Sequence, residues 1–200
     1  MKLVEHMDLR PMVISDLEIV YEWRNSDRVR NAMYADHLIS RPEHEAWFGH
    51  ALQDRACRYF IAELQSAPVG FVSFTAITPP PPNAPANCTW AFYLGVTNVP
   101  RGTGSCMEYL ALDMAFESLG IHKLSCEVLE TNLGVLRLHR KFGFHEEAVF
   151  KAHHRRGDEF QDVHRLALFA DAWRRTRGSI RTKYIEPVTA GHTPIGHEES

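Results

Sequence analysis

The run NCTWAFYLGV (residues 87–96) is followed, after Thr97–Val99, by a turn, PRGTGS, which opens onto an apolar stretch from about Ser105 to Leu119. No other feature of the chain restricts its fold as much. The first run is aromatic and β-branched and reads as a strand. The last is apolar and long enough for a helix. A strand that feeds a helix through a glycine-bearing turn collects unpaired backbone N–H groups and the positive end of the helix dipole at one point. Such a point receives phosphate. Gly102 and Gly104 let the backbone approach an anion closely, and Arg101 adds a cation beside it. The turn is not a dinucleotide fingerprint, because the third glycine and the acid about 20 residues on are missing. It also lacks the Gly-Lys-Ser/Thr ending of a Walker loop.

The flanking sequence predicts a mixed α/β domain. Lys2–Val13 reads as a first strand, and Asp16 as the N-cap of a helix through Leu17, Ile19, Val20 and Trp23. A short helix covers Asp27–Met33, and a capping box at Ser40 and Glu43 introduces another over His44–Gln53. Arg58–Glu63 and Pro68–Ala76 form a strand pair about a turn at Gln65–Ala67. TPPPPNAPAN carries five prolines and reads as an exposed loop. Beyond the glycine turn come a strand Lys123–Leu129, a helix from Asn132 to Gly143, and a hairpin of Phe144–His153 with Glu159–Phe169. The order β-α-α-α-β-β-β-α-β-α-β-β is mixed rather than doubly wound. Residues 1–177 make one domain, and 178–200, polar and punctuated by Gly and Pro, are expected to be a loosely ordered tail.

Composition narrows the function. With a formal net charge of −3 there is no electrostatic case for a nucleic-acid partner. No apolar run approaches the roughly 18–20 residues of a membrane helix, and the N-terminus does not read as a secretory signal. The four cysteines include no CxxC pair and the twelve histidines no metal-ligand spacing, so reduced thiols, no metal and a cytoplasmic location are expected.

The segment Trp90–Phe144 resembles the GCN5-related N-acetyltransferases, the GNAT superfamily. The family signature Arg/Gln-x-x-Gly-x-Gly/Ala is matched by Arg101, Gly104 and, at its last place, Cys106. About 30 residues on, Asn132, Val135, Leu138, Lys141, Phe142, Gly143 and Phe144 resemble the segment N-x-x-(A/V)-x-x-L-(Y/H)-x-K-x-G-F. The resemblance implies a central, mostly antiparallel sheet in which the strand before the turn splays from its neighbour and pairs with the pantetheine of acetyl-CoA. Phe92, Tyr93, Leu94 and Val96 would then flank the cofactor arm. Arg101, Gly102, Thr103, Gly104, Ser105 and Cys106 would hold the pyrophosphate, with Cys106 tightening the cradle slightly. Asn132 would face the pantetheine from the other side. WRNSDRVRNAMY, ISRPEHEAWF, YFIAELQSAPVGFVSF and KLSCEVLETNLGVLRLHRKFGFHEEAVF are similar to a branch that acetylates the 4-amino group of a UDP-linked amino-deoxy sugar for pseudaminic acid and flagellin glycosylation.

Acetyl transfer of this kind needs a neutral amine, a polarised carbonyl and a proton for the departing thiolate. A backbone N–H near Leu94 suits the carbonyl. His139 stands where the family places a tyrosine acid, and an imidazole can protonate a thiolate; a helix histidine that only hydrogen-bonds nearby fits the same position. Glu127, in a strand among Leu124, Cys126 and Val128, is a candidate base acting through water, against the alternative of a solvent-facing carboxylate. Tyr93 and His44 are further candidates. For a diphosphate acceptor Arg30 is the leading ligand, with Arg24 and Arg28 sharing a helical face if their helix is continuous. Trp23 and Trp47 read as core. The expected partner is a small-molecule amine, a UDP-amino sugar in this branch, with a homodimer allowed. Peptide amine acetylation and a non-catalytic CoA-binding module are the rival readings.

Overall fold

The computed structural model describes residues 2–78 and 86–188. A 3₁₀ turn, Leu3–His6, precedes β1 (Met7–Pro11), so the first strand is shorter than the sequence suggests. Then come α1 (Leu17–Asn25), α2 (Asp27–Arg30), α3 (Arg41–Ala51), β2 (Arg58–Leu64), β3 (Ala67–Thr75) and β4 (Ala86–Leu94). The second half holds α4 (Thr103–Asp113, continued by a π turn to Ser118), β5 (Ile121–Leu129), α5 (Leu133–Lys141), β6 (His145–Arg156), β7 (Glu159–Phe169) and α6 (Ala170–Ile180). The proline-rich loop lies mainly outside the described residues.

The seven strands form one mixed sheet in the order β1-β2-β3-β4-β5-β7-β6. Every pair is antiparallel except β4 with β5. That parallel pair touches only from Ala86–Thr89 against Ile121–Ser125. Beyond Thr89, β4 stays with β3, and β5 stays with β7. The splay implied by the resemblance is therefore present, and it leaves a wedge-shaped gap in the middle of the sheet.

Alternation along β4 divides its side chains between two cores. Trp90, Phe92 and Leu94 join Met107, Leu112, Leu136, Phe142 and Trp173 under α4, α5 and α6. Tyr93 joins Val20, Trp23, Phe48, Ile61 and Phe71 under α1 and α3. The capping box forms as expected, with Ser40 Oγ and Glu43 exchanging hydrogen bonds at the start of α3. Asp16 does precede α1, but its buried carboxylate accepts a fork of two 2.7 Å bonds from Arg10 instead of capping the helix. Gly143, at φ +91°, ends α5 in the left-handed conformation that glycine adopts without penalty.

Two expectations need correcting. The first helix is not continuous through Arg28: Ser26 turns to ψ 139° and restarts the chain as α2, so Arg24 and Arg28 leave on different faces. The region from 178, expected as a loose tail, continues α6 to Ile180 and a π turn to Ile185, and both isoleucines are buried in the main core. The remainder of that tail, 189–200, lies outside the described residues. All four cysteines are free, and three are buried. Among the described residues no helix is long and apolar enough to cross a membrane.

Candidate active site

The gap between β4 and β5 opens into a cleft of about 330 Å³ lined by Phe92, Leu94, Gly104, Glu127, Asn132 and His139, among others. Backbone pairing explains why it is polar at its edge. Gly95 N donates to Val69 O, and in an antiparallel ladder the bonded residues alternate, so Ala91 and Tyr93 also pair with β3. The N–H and C=O groups of Phe92 and Leu94 then face the gap, where β5 has already departed. Arg28 comes from α2 to this edge, and its Nη2 donates to Leu94 O at 2.5 Å and Val96 O at 3.3 Å. Val96 itself is not part of the cleft lining.

At one end of the cleft stands the glycine turn. Gly102, at φ +96°, is the N-cap of α4, and no side chain caps that helix. Thr103 N and Oγ1 both return to Pro100 O, and Cys106 N donates to Gly102 O. The amides of Gly104 and Ser105 have no partner among the described residues, and Arg101 stands exposed beside them. The turn thus offers free N–H donors at a helix N-terminus, as its sequence predicts. Thr103 and Cys106 are the exceptions. Both side chains are buried, and the Cys106 thiol is packed in the main core with its pKa pushed up to about 11 by burial. Cys106 therefore cannot crowd a phosphate, and the expected tightening does not arise.

His139 lines the cleft, buried between Trp90, Phe92 and Phe144. Its Nδ1 lies 2.8 Å from Oε1 of Glu108, a carboxylate with no exposed surface. Burial disfavours charge on the ring, but the Glu108 carboxylate, with the adjoining Cys126 thiol, outweighs it and raises the imidazole pKa to about 10. Burial pushes Glu108 upward as well. The pair holds its proton tightly at neutral pH, and with Nδ1 committed to Glu108 the other ring nitrogen, Nε2, is the one left for exchange. Sequence reasoning missed Glu108. Its only signal was an acid set among apolar residues in the middle of the helix TGSCMEYLALD.

Glu127 is neither fully buried nor free. Tyr34 Oη donates to its Oε2 at 2.7 Å, and Arg165 Nη1 to its Oε1 at 2.9 Å, at the rim of the cleft. A second cavity of about 280 Å³ lies on the opposite face of β4, lined by Arg24, Glu43, His44, Trp47, Phe71 and Tyr93, among others. The two cavities share Met33, Ala91 and Tyr93. Tyr93 stacks on Phe71, and burial raises its hydroxyl well above the usual phenol range, so it keeps its proton at neutral pH.

Geometry revises three readings of the acceptor side. Arg30 lines neither cavity: its guanidinium is bound to Asp27 Oδ1 at 2.5 Å and to the carbonyl of Asp36 at 2.9 Å, holding the loop after α2. His44 lines the second cavity, but it is buried with Nε2 at 2.9 Å from the carbonyl of Leu17, so that nitrogen joins α3 to α1. Trp47, read as core, is 39% exposed at the cavity wall, whereas Trp23 is core as expected.

The arrangement agrees with the comparisons. The family described as acetyltransferase (GNAT) domain matches residues 6–145. No curated protein matches the sequence. Among solved structures the fold is similar to that of spermidine N-acetyltransferase from Vibrio cholerae in complex with CoA and spermine, with 20% identity, 84% of this chain and 98% of that chain covered, and a TM-score of 0.76. It is also similar to a dodecameric structure of spermidine N-acetyltransferase from Vibrio cholerae in an intermediate state, at 20% identity, 84% and 96% coverage and a TM-score of 0.69. At that identity the likeness is one of fold. The match over residues 6–145, together with the splayed strands and the open helix N-terminus that follow from its sequence, shows that the chain belongs to the GNAT acetyltransferase family.

Proposed function

We propose that this N-acetyltransferase takes an acetyl group from acetyl-CoA in the cleft between β4 and β5 and delivers it to a small primary amine held in the cavity behind β4. The observation that carries the reading is the junction at Met33, Ala91 and Tyr93, where cleft and cavity meet at the centre of the sheet. Acetyl-CoA supplies an acetyl group activated as a thioester. The residues present fit it: the free edge of Phe92 and the N–H of Leu94 suit an amide-bearing arm, Asn132 lines the same cleft, and the amides of Gly104 and Ser105 with Arg101 suit a pyrophosphate.

The protein's own groups then divide the proton work. The N–H of Leu94 polarises the carbonyl. His139, kept charged by Glu108, releases a proton from Nε2 to the departing sulfur. Glu127 at the rim accepts the proton of the amine through a water, and the Tyr93 hydroxyl orients the acceptor. Glu108 touches no reacting atom in this scheme and is a positioning residue.

A UDP-linked 4-amino sugar and a peptide amine are both acceptors of the right reactive group. The sugar-nucleotide reading has lost Arg30 as its phosphate ligand, so it depends on other cations. Thiol release from acetyl-CoA, measured with a UDP-linked 4-amino sugar, a peptide panel and a set of small amines, tests the proposal. Release with a small amine is expected. Release with peptides alone overturns the small-amine reading, and tight acetyl-CoA binding without release to any amine overturns catalysis.

The glycine turn gives a separate prediction. A Cβ added at Gly104 meets only Leu94 Cδ1, at 3.8 Å, so the fold has room for a side chain there. Gly104→Val should therefore keep its thermal midpoint within a few degrees yet bind acetyl-CoA about tenfold or more weakly, because the side chain fills the phosphate position. Calorimetric titration showing unchanged affinity would remove the turn from the site.

A further inference from the structure

We infer that the acceptor amine also carries an anionic group, and that Arg24 is the residue that receives it. This rests on the reading of the second cavity as the acceptor site. Most of that cavity is apolar, walled by Val20, Ile39, Trp47 and Phe71, and Arg24 is the cation on its lining. The guanidinium is poorly satisfied. Among the described residues its one hydrogen bond runs from Nη2 to the carbonyl of Ala35 at 3.4 Å. Nη1 is shielded from solvent with no partner, and among the described residues no carboxylate lies within 4.0 Å of it.

Arg10 shows how this chain treats a guanidinium when the counter-ion is built in, with Asp16 at 2.7 Å and Glu63 at 2.6 Å. The cavity carboxylate nearest in kind, Glu43, is already engaged by His37 Nε2 at 2.9 Å and by the amide of Ser40. Arginine does not shed its charge in proteins, so a half-buried guanidinium that Glu43 reaches only at a distance, and that no carboxylate contacts directly, carries a standing desolvation cost. Burial pulls the Arg24 pKa below its ordinary value, which is the signature of that cost. A ligand anion inside the cavity removes it.

The same lining argues against a polyamine. A polycation seeks several carboxylates, and here it would meet Arg24 beside a single engaged acid. An acceptor that points its amine to the junction at Tyr93 and its anion to Arg24 fits both ends. The anion has two chemical sources, a carboxylate on an amino acid or a phosphate on a sugar nucleotide, and guanidinium recognises either.

The test uses matched acceptors with the full-length protein. Tyramine and tyrosine differ by one carboxylate; a UDP-linked 4-amino sugar supplies the phosphate arm, and spermidine the polycation. The expected result is a kcat/KM about tenfold or more higher for an anionic amine than for its uncharged-tail counterpart or spermidine. Preference for tyrosine over tyramine assigns the carboxylate, and preference for the UDP sugar assigns the phosphate. Arg24→Gln should raise KM for the anionic acceptor about tenfold or more and leave KM for acetyl-CoA unchanged, and Arg24→Lys should restore part of the loss. If Arg24→Gln does not fold, inhibition of the wild type decides. 3-(4-Hydroxyphenyl)propanoate or UDP should compete with the amine, whereas neutral tyrosol should not. Efficient acetylation of spermidine or tyramine in preference to every anionic amine overturns the inference while leaving the acetyltransferase reading intact. Failure to bind acetyl-CoA would strike that reading instead.

Discussion

Replacing His139 with phenylalanine should lower kcat by roughly 10²–10⁴-fold, the usual contribution of a positioned general acid, with little change in acetyl-CoA affinity. Phenylalanine preserves the aromatic packing against Trp90, Phe92 and Phe144. It also strands the fully buried Glu108 without its partner, and breaking a buried pair from one side costs about 3–5 kcal/mol. The double variant Glu108→Gln with His139→Phe removes that charge and separates catalysis from folding. Near-full turnover in the double variant would return His139 to a packing role.

Glu108→Gln gives a readout that packing alone does not. The His139 pKa is raised to about 10, chiefly by the charge of Glu108 acting against burial. The protonated acid is therefore available across neutral pH, and kcat in the wild type should fall only as pH approaches 10. With glutamine the charge is gone, burial dominates, and the fall should move down to neutral pH or below. Stability follows the same sign. A histidine whose folded pKa is raised stabilises fully below its unfolded value near 6.5 and loses that contribution as pH rises toward about 10. Urea midpoints should decline over that window in the wild type and stay flatter in Glu108→Gln.

Some of this was legible in the sequence because it is local. The strand, glycine turn and apolar helix from residue 87 to 119 need only period-two and period-3.6 patterns, and the Ser40–Glu43 box is a four-residue signal. What escaped depends on contacts between distant segments. Arg30 and Arg24 look equivalent in WRNSDRVRN, and only the break at Ser26, with Asp27 and Asp36 waiting for Arg30, decides which one meets a cavity. Glu108 and His139 are 31 residues apart and become a pair only when α4 and α5 pack on the same face of the sheet. Helix α6 was hidden by its own polarity: in ADAWRRTRGSI only Ala170, Trp173 and Ile180 are buried, spaced along one face among charges.

The hidden segment should matter more than its composition suggests, and truncation measures by how much. Removing residues 178–200 deletes Ile180 and Ile185, both buried in the main core, and Val188, whose carbonyl accepts from Leu3 N at 2.9 Å. Burial of the two isoleucines contributes roughly 3–6 kcal/mol, at about 1.5–3 kcal/mol each. For a domain of this size that is a fall in the thermal midpoint of roughly 6–24 °C. The consequence extends to the cofactor. Val188 packs on the outside of the glycine turn, where a Cβ at Gly102 would lie 2.6 Å from its Cγ1. The C-terminal segment therefore backs the loop that presents the Gly104 and Ser105 amides. Truncation after residue 177 should both lower the midpoint and weaken acetyl-CoA binding measured below that midpoint. Truncation after residue 188 keeps these contacts and should leave both near wild type. If the shorter protein melts and binds like the longer one, residues 178–188, including the last turn of α6, are dispensable.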